Sequence, residues 1–155
     1  MSKSLKRVRA TLEAAGLAPE IIETPLARTA ADAAAAVGCE IDQIAKSIIF
    51  AGTNSGAALL FVTAGGNRVD NAKAARVAGE PLGKADAALI RAQTGFAIGG
   101  VAPIGHLTQP RAWFDPRLLE FDLIWAAAGT PHHVFGLAPE KVLALSRAKR
   151  AGFTE

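Results

Sequence analysis

The sequence lacks the short catalytic signatures that mark several large enzyme classes. It contains no G-x-x-x-x-G-K-[ST] phosphate-binding loop and no G-x-S-x-G nucleophile elbow. Its glycine-rich segment "GGVAPIGH", residues 99–106, also lacks the G-x-G-x-x-G spacing of a dinucleotide-binding turn. Kinase, lipase and dehydrogenase functions are therefore excluded.

Cysteine and long apolar runs are also scarce. The single cysteine, Cys39, cannot form an internal disulfide, and no leader with an apolar core opens the chain. No run approaches the roughly 18 consecutive apolar residues of a membrane span. We therefore expect a cytoplasmic protein with no membrane partner, in which Cys39 is a small buried hydrophobe rather than a nucleophile.

Metal ligands are equally sparse. The obvious nitrogen and sulfur donors are His106, His132, His133 and Cys39, and none stands at H-E-x-x-H or C-x-x-C spacing. We expect no metal and no other cofactor. His132 and His133 are neighbours in a turn and are expected to be surface residues.

The composition is that of one globular domain over residues 1–155. Half of the residues are hydrophobic and 20% are charged. The net charge of +3 and the isoelectric point near 9.4 favour a polyanionic partner without requiring one. The basic N-terminal residues Lys3, Lys6, Arg7 and Arg9 form either a solvated helix face or a phosphate-facing patch.

Helix and strand signals alternate along the chain. Thr29 is placed to cap a helix over 29–38 and Asp70 to cap another over 71–79, while the N-terminal helix stops at Gly16. Further helices are predicted over 84–95 and 139–150, and strands over 19–24, 46–51, 57–64, 121–128 and 134–137. Several connections are too short for crossover helices, which predicts a mixed α/β fold with a largely antiparallel sheet or partly open barrel surrounded by helices.

Two features suggest chemistry. The segment "AIGGVAPIGH", residues 97–106, carries three glycines and no acidic or hydroxyl side chain, so it would act on a ligand mainly through its backbone. Lys46 stands at the head of the apolar run "KSIIF". It is either a snorkelling lysine at a strand edge or a fixed ammonium that holds a phosphate or a polarised oxygen.

Three segments in this order resemble the YbaK/prolyl-tRNA synthetase editing-domain (ProXp-like) superfamily of trans-acting aminoacyl-tRNA deacylases. They are "TAADAAAAVGCEIDQIAKSIIF", "VTAGGNRVDNAKAARVAG" and "TGFAIGGVAPIGH". The most specific elements are Lys46 and the G-x-x-x-P-x-x-H loop of Gly99, Pro103 and His106. The resemblance implies hydrolysis of the ester in a mischarged tRNA, most often tRNA for proline. It implies the tRNA acceptor end as partner, possible association with prolyl-tRNA synthetase, and no DNA.

The resemblance also implies the site residues. Lys46, Gly65 and Gly99 are the catalytic candidates. Lys46 would hold the terminal ribose-phosphate, and Gly65 or Gly66 would lie near the terminal adenosine. The substrate-binding candidates are Thr29, Ser47, Gly66, Gly100, Val101, Ala102, Pro103 and His106. For His106 the resemblance favours a pocket wall over a general base.

The same loop indicates which amino acid is removed. Ala102 stands where many cysteine-type relatives have serine, which favours alanine or another small residue over cysteine as the group removed. The alternatives are a Cys-tRNA(Pro) deacylase, a non-catalytic module that binds the acceptor end, and an unrelated small-molecule hydrolase with a glycine cradle.

Overall fold

The fold combines five α-helices with eight strands in a computed structural model that describes residues 2–155. The helices are α1 (Lys3–Ala14), α2 (Ala30–Val37), α3 (Asn71–Ala78), α4 (Ala87–Thr94) and α5 (Pro139–Ser146). The strands are β1 (Ile21–Glu23), β2 (Ile44–Gly52), β3 (Ala58–Ala64), β4 (Leu82–Lys84), β5 (Ala112–Phe114), β6 (Ile124–Thr130), β7 (His133–Leu137) and β8 (Lys149–Arg150). Short 3-10 helices cover Ile41–Gln43 and Pro116–Glu120.

All eight strands form one mixed sheet in the order β1-β7-β6-β2-β3-β5-β8, with β4 added beside β2. The pairs β1/β7, β6/β7, β2/β3 and β2/β4 are antiparallel, whereas β2/β6, β3/β5 and β5/β8 are parallel. Within residues 2–155 the sheet stays open and does not close into a barrel. The predicted mixed α/β fold is confirmed.

Side-chain caps set the helix starts that the sequence predicted. The Thr29 hydroxyl accepts a hydrogen bond from the Asp32 N–H at 3.1 Å, and the Asp70 carboxylate accepts one from the Lys73 N–H at 3.0 Å. Gly38 ends α2 in the left-handed conformation that a glycine adopts without steric cost.

Several predicted boundaries are wrong, two of them because a strand competes with the predicted helix for the same residues. Lys84 does not open a helix but pairs with Phe50 in β4, so α4 begins only at Ala87. The last helix stops at Ser146, where Arg147 takes a φ of 56°, and Lys149–Arg150 then pairs with β5. The strand predicted over 121–128 is β6, which lies later in the chain, over Ile124–Thr130.

Two apolar clusters cover the two faces of the sheet. Alternate residues of β3 divide between them, with Leu60 and Val62 in one cluster and Leu59 and Phe61 in the other. The first cluster includes the apolar face of α1, formed by Leu5, Val8 and Leu12. The N-terminal helix is therefore packed against the same side of the sheet as the glycine-rich segment.

None of the helices in residues 2–155 has the length and apolar character needed to cross a membrane.

The expectation that Cys39 is buried is wrong: the side chain is only half-buried, and its Sγ lies 3.3 Å from the Glu40 carbonyl oxygen, which the thiol donates to.

Candidate functional site

The sheet contains a gap beside the middle of β2. On one side β2 pairs with β3 from Ala45 to Ala51, but on the other side it meets β6 only at Ile44 and Ala45, and β4 only from Phe50 onward. Residues 46–49 consequently have no strand neighbour on that side in the part of the chain described.

The backbone direction in this gap follows from the register of β3. The Leu60 N–H donates to Arg111 O at 3.0 Å, and Val62 O accepts from the Asp115 N–H at 2.9 Å, so both residues point their backbone groups toward β5. Their antiparallel partners in β2 are Ile49 and Ser47. These two therefore point their N–H and C=O groups away from β3 and into the gap.

A cavity of about 720 Å³ occupies this gap. Its volume lies within the usual range for small-molecule sites. Its wall includes all of 44–49 in β2, the start of α2, the β6–β7 turn and the glycine-rich segment. Leu26 and Ile98 are exposed large apolar residues on its rim, and Arg28 adds an exposed cation there.

Lys46 is the half-buried cation of the cavity wall. It is the third residue of β2 rather than its head, because Ile44 and Ala45 already pair with β6. Its Nζ donates to the main-chain oxygen of Asn67 at 2.7 Å. Burial lowers the pKa of Lys46, with Arg68 adding to that effect, while Asp115 and Asp42 oppose it. An ammonium has three donors, so this geometry leaves N–H groups for a ligand.

The turn that receives Lys46 is held by two carboxylates. Asp115, which is buried, accepts from Asn67 Nδ2 at 2.9 Å and from the Ala64 N–H at 3.1 Å. Asp42 accepts from the Gly66 N–H at 2.8 Å and from Arg117 Nε at 2.9 Å. The oxygen that orients the ammonium is therefore fixed from both sides.

Gly65 and Gly66 are needed for this close packing. A Cβ at Gly65 would overlap the main-chain oxygen of Ile41, and a Cβ at Gly66 would overlap the Asp42 carboxylate. Both glycines lie in the turn before Asn67, whose main-chain oxygen accepts from Lys46, and neither is part of the cavity wall.

The glycine-rich segment divides between the cavity and the core. Ile98, Gly99 and Val101 line the cavity, whereas Gly100 lies against Thr130. Ala102 and Pro103, also in the segment, are buried in the core.

His106, the last residue of the segment, is not part of the cavity wall. Its Nε2 lies 2.6 Å from Ala102 O, and since a carbonyl only accepts, Nε2 carries the proton. Nδ1 is buried and has no hydrogen-bond partner among residues 2–155, and the ring stands edge-on to Phe96 with 5.3 Å between the ring centroids. Burial lowers the pKa of His106 and so favours the neutral imidazole, while the hydrogen bond with Ala102 O opposes that shift.

The structure thus brings together five of the residues that the sequence suggested and separates the others from them. The residues on the cavity wall are Thr29, Lys46, Ser47, Gly99 and Val101. The residues outside it are Gly65, Gly66, Gly100, Ala102, Pro103 and His106. The roles assigned to all of them stay predictions.

Sequence reasoning missed one histidine. His133 lines the cavity, and its Nδ1 lies 2.6 Å from the Thr130 hydroxyl, so it is not the plain surface residue that we expected, whereas His132 is exposed. The available signal was the alternation in "HVF", since His133 lies two residues before the buried Phe135 in β7. Among residues 2–155 no cluster of three or more potential metal ligands occurs.

The cavity, Lys46 and the glycine-rich segment all fall within one region with known relatives. Residues 24–145 match the sequence profile of the aminoacyl-tRNA editing domain. The chain belongs to this family. The resemblance inferred from the motifs is confirmed, and α1 lies outside the matched region of this editing domain.

Individual relatives agree with that assignment. A crystal structure of a protein provisionally described as a trans-editing enzyme for prolyl-tRNA synthetase has 44% sequence identity and a TM-score of 0.92, covering 100% of this chain and 99% of that one. A scaffold protein used for computational epitope grafting has 43% identity, the same TM-score and the same coverage. The uncharacterised protein YwhH of Bacillus subtilis is 31% identical over 121 residues, 78% of this chain and 76% of YwhH.

Proposed function

We propose that this editing domain acts in trans as an aminoacyl-tRNA deacylase that removes a small amino acid, alanine first, from tRNA for proline. The family and the structural relative described for prolyl-tRNA synthetase support the reaction class and the tRNA. The observation that carries the proposal is the open backbone edge of Ser47 and Ile49, which lies on the same cavity wall as Lys46 and Gly99.

This arrangement suits a substrate that is already activated. In the reaction a water oxygen bonds to the ester carbonyl carbon, the carbon–ribose oxygen bond breaks, and the ribose oxygen takes a proton. The neighbouring ribose hydroxyl can relay that proton, so positioning and stabilisation of the oxyanion supply most of the catalysis. Backbone N–H groups are sufficient for that task.

Each part of the cavity has a role in this scheme. On this edge one N–H group, of Ser47 or Ile49, donates to the aminoacyl carbonyl, and a neighbouring C=O group accepts from the α-ammonium. Lys46 holds the terminal ribose-phosphate with its remaining N–H groups. The exposed Arg28 contacts the next phosphate on the 5′ side. Gly65 also shapes the turn that orients Lys46, because a Cβ there would overlap the main-chain oxygen of Ile41.

Size selection takes place on the cavity wall. Ala102 is buried inside the glycine-rich segment, so it acts on the choice between alanine and cysteine through its neighbour Val101, which lines the cavity with Ser47 and Ile49. A synthetase for proline cannot reject smaller amino acids by contact loss alone, since one methylene is worth only about 1–3 kcal/mol. A second, smaller pocket removes the error.

A deacylation panel tests this proposal. Purified protein is mixed with tRNA for proline charged with alanine, cysteine, serine, threonine or proline, and the rate of loss of each ester is compared with its rate in buffer. We expect the fastest loss from alanine and no acceleration for proline. Fastest loss from cysteine would make it a Cys-tRNA(Pro) deacylase. Binding of every tRNA with no acceleration for any would leave a non-catalytic acceptor-end module and overturn the proposal.

A further inference from the structure

Arg7 of α1 contacts the end of α4, just before the glycine-rich segment, and the last turn of the segment itself. Its Nε donates to Gly105 O at 2.8 Å, and its Nη2 donates to Thr94 O at 3.3 Å. The guanidinium also lies over the Phe96 ring, 4.7 Å from the centroid. One side chain therefore joins the end of α4 to the last turn of the glycine-rich segment.

The surrounding backbone leaves little room for any other arrangement. A Cβ at Gly95 would overlap the Arg7 guanidinium, and Gly105 lies against the main chain of α1 at Arg7 and Val8. The Ser4 hydroxyl donates to Gly95 O at 3.3 Å. Helix α1 and the base of the segment are thus fitted to each other over two of its turns.

The same helix also reaches the opposite wall of the cavity. A Cβ at Gly129 would come within 2.8 Å of Ser4 O. Gly129 precedes Thr130, which lines the cavity and lies against Gly100. A shift of α1 would therefore move the glycine-rich segment and the β6–β7 turn together.

We propose that Arg7 is a positioning residue of the editing site, which fixes the glycine-rich segment so that Gly99 and Val101 form the cavity wall. This inference rests on the proposed function for its effect on catalysis, but its structural part does not. It assigns the Arg7 charge to the interior contact and removes it from any phosphate-binding patch. It also makes α1, which lies outside the region matched by the family profile, part of the site.

Only arginine fits this position. Its planar fork reaches two carbonyls that lie in different directions while its face stacks on Phe96, whereas a lysine ammonium is a compact point charge. The exposed Arg9 on the same helix has the same charge without these contacts in the part of the chain described, which makes it the matched control.

The test compares Arg7→Gln, Arg7→Lys and Arg9→Gln with the wild type in two assays. Hydrogen exchange on the free protein reports the amides of 96–105 relative to those of β3. We expect at least about tenfold faster exchange of the segment in R7Q, a smaller increase in R7K, and wild-type exchange in R9Q. In the deacylation assay, kcat of R7Q should fall about 10- to 100-fold with KM changed less than about threefold.

Other outcomes would overturn the proposal. If the segment exchanges in R7Q as in the wild type, Arg7 does not position it. If R7Q instead weakens tRNA binding and reduces its salt slope by about one, Arg7 is a phosphate ligand. A wild type that deacylates no tRNA would overturn the proposed function, while the exchange comparison would still decide the role of Arg7. Should R7Q unfold, R7K gives the same comparison because it keeps the charge and loses the fork.

Discussion

The ammonium of Lys46 and the main-chain oxygen of Asn67 are joined by a 2.7 Å hydrogen bond beyond the end of β3. The two residues are separated by 21 positions, and β3 with its following turn brings them together. The bond gives Lys46 a fixed direction beside the cavity. The position of the ammonium therefore depends on whatever holds the Asn67 turn.

Asp115 is the first such support, and removing it should affect both stability and activity. Asp115→Ala leaves the Ala64 N–H and Asn67 Nδ2 without their acceptor in a buried site. We expect the free energy of unfolding to fall by about 1.5–3 kcal/mol and deacylation to fall with it. Denaturant unfolding measures the first effect. The exposed Asp122→Ala is the control, and equal stability of the two variants would disprove this dependence.

Gly100 tests whether the glycine-rich segment tolerates displacement. A Cβ there would lie 2.8 Å from Thr130 Cα, so Gly100→Ala must push the segment away from the β6–β7 turn. Overpacking of this kind costs about 1–3 kcal/mol, and we expect a lower melting temperature together with a lower kcat. Gly152→Ala adds the same atom where nothing lies within 4 Å and should behave as the wild type. Wild-type turnover in G100A would show that deacylation does not depend on the position of the glycine-rich segment.

Val101 tests size selection directly. Its side chain lines the cavity, so Val101→Ala enlarges the space and Val101→Leu reduces it. We expect V101A to gain on threonine relative to alanine by about 10-fold, the effect of about one methylene, and V101L to lose cysteine before alanine. The five-tRNA panel measures the ranking. A uniform change across the panel in both variants would place the size limit elsewhere.

His106 should make stability depend on pH with a defined sign. Burial lowers its pKa below the ordinary 6.5, so below pH 6.5 the unfolded chain binds a proton that the folded chain does not. The free energy of unfolding should therefore fall as the pH drops below about 6.5, until the pH reaches the folded pKa. His106→Gln keeps a donor for Ala102 O without titrating, and its unfolding should show a shallower pH dependence. Parallel curves for the two proteins would contradict the neutral buried imidazole.

Local signals in the sequence predicted much of the fold, whereas the site depended on pairings that no local signal shows. Thr29 and Asp70 cap helices as predicted because a cap is set by residues three positions apart. The cavity exists because β6 leaves β2 after Ala45, a relationship between residues 81 positions apart. The inward direction of His106 and the cavity position of His133 likewise follow from tertiary packing rather than from their neighbours.

The deacylation rate of Ala-tRNA(Pro) with Lys46→Ala tests the central claim most directly. Lys84 is an exposed lysine on β4, so Lys84→Ala controls for the loss of one positive charge, and circular dichroism verifies that both variants fold. The proposed mechanism predicts wild-type rates for K84A and a loss of at least about 100-fold for K46A, since the acceptor end is no longer positioned. A folded K46A that deacylates Ala-tRNA(Pro) at the wild-type rate would contradict it.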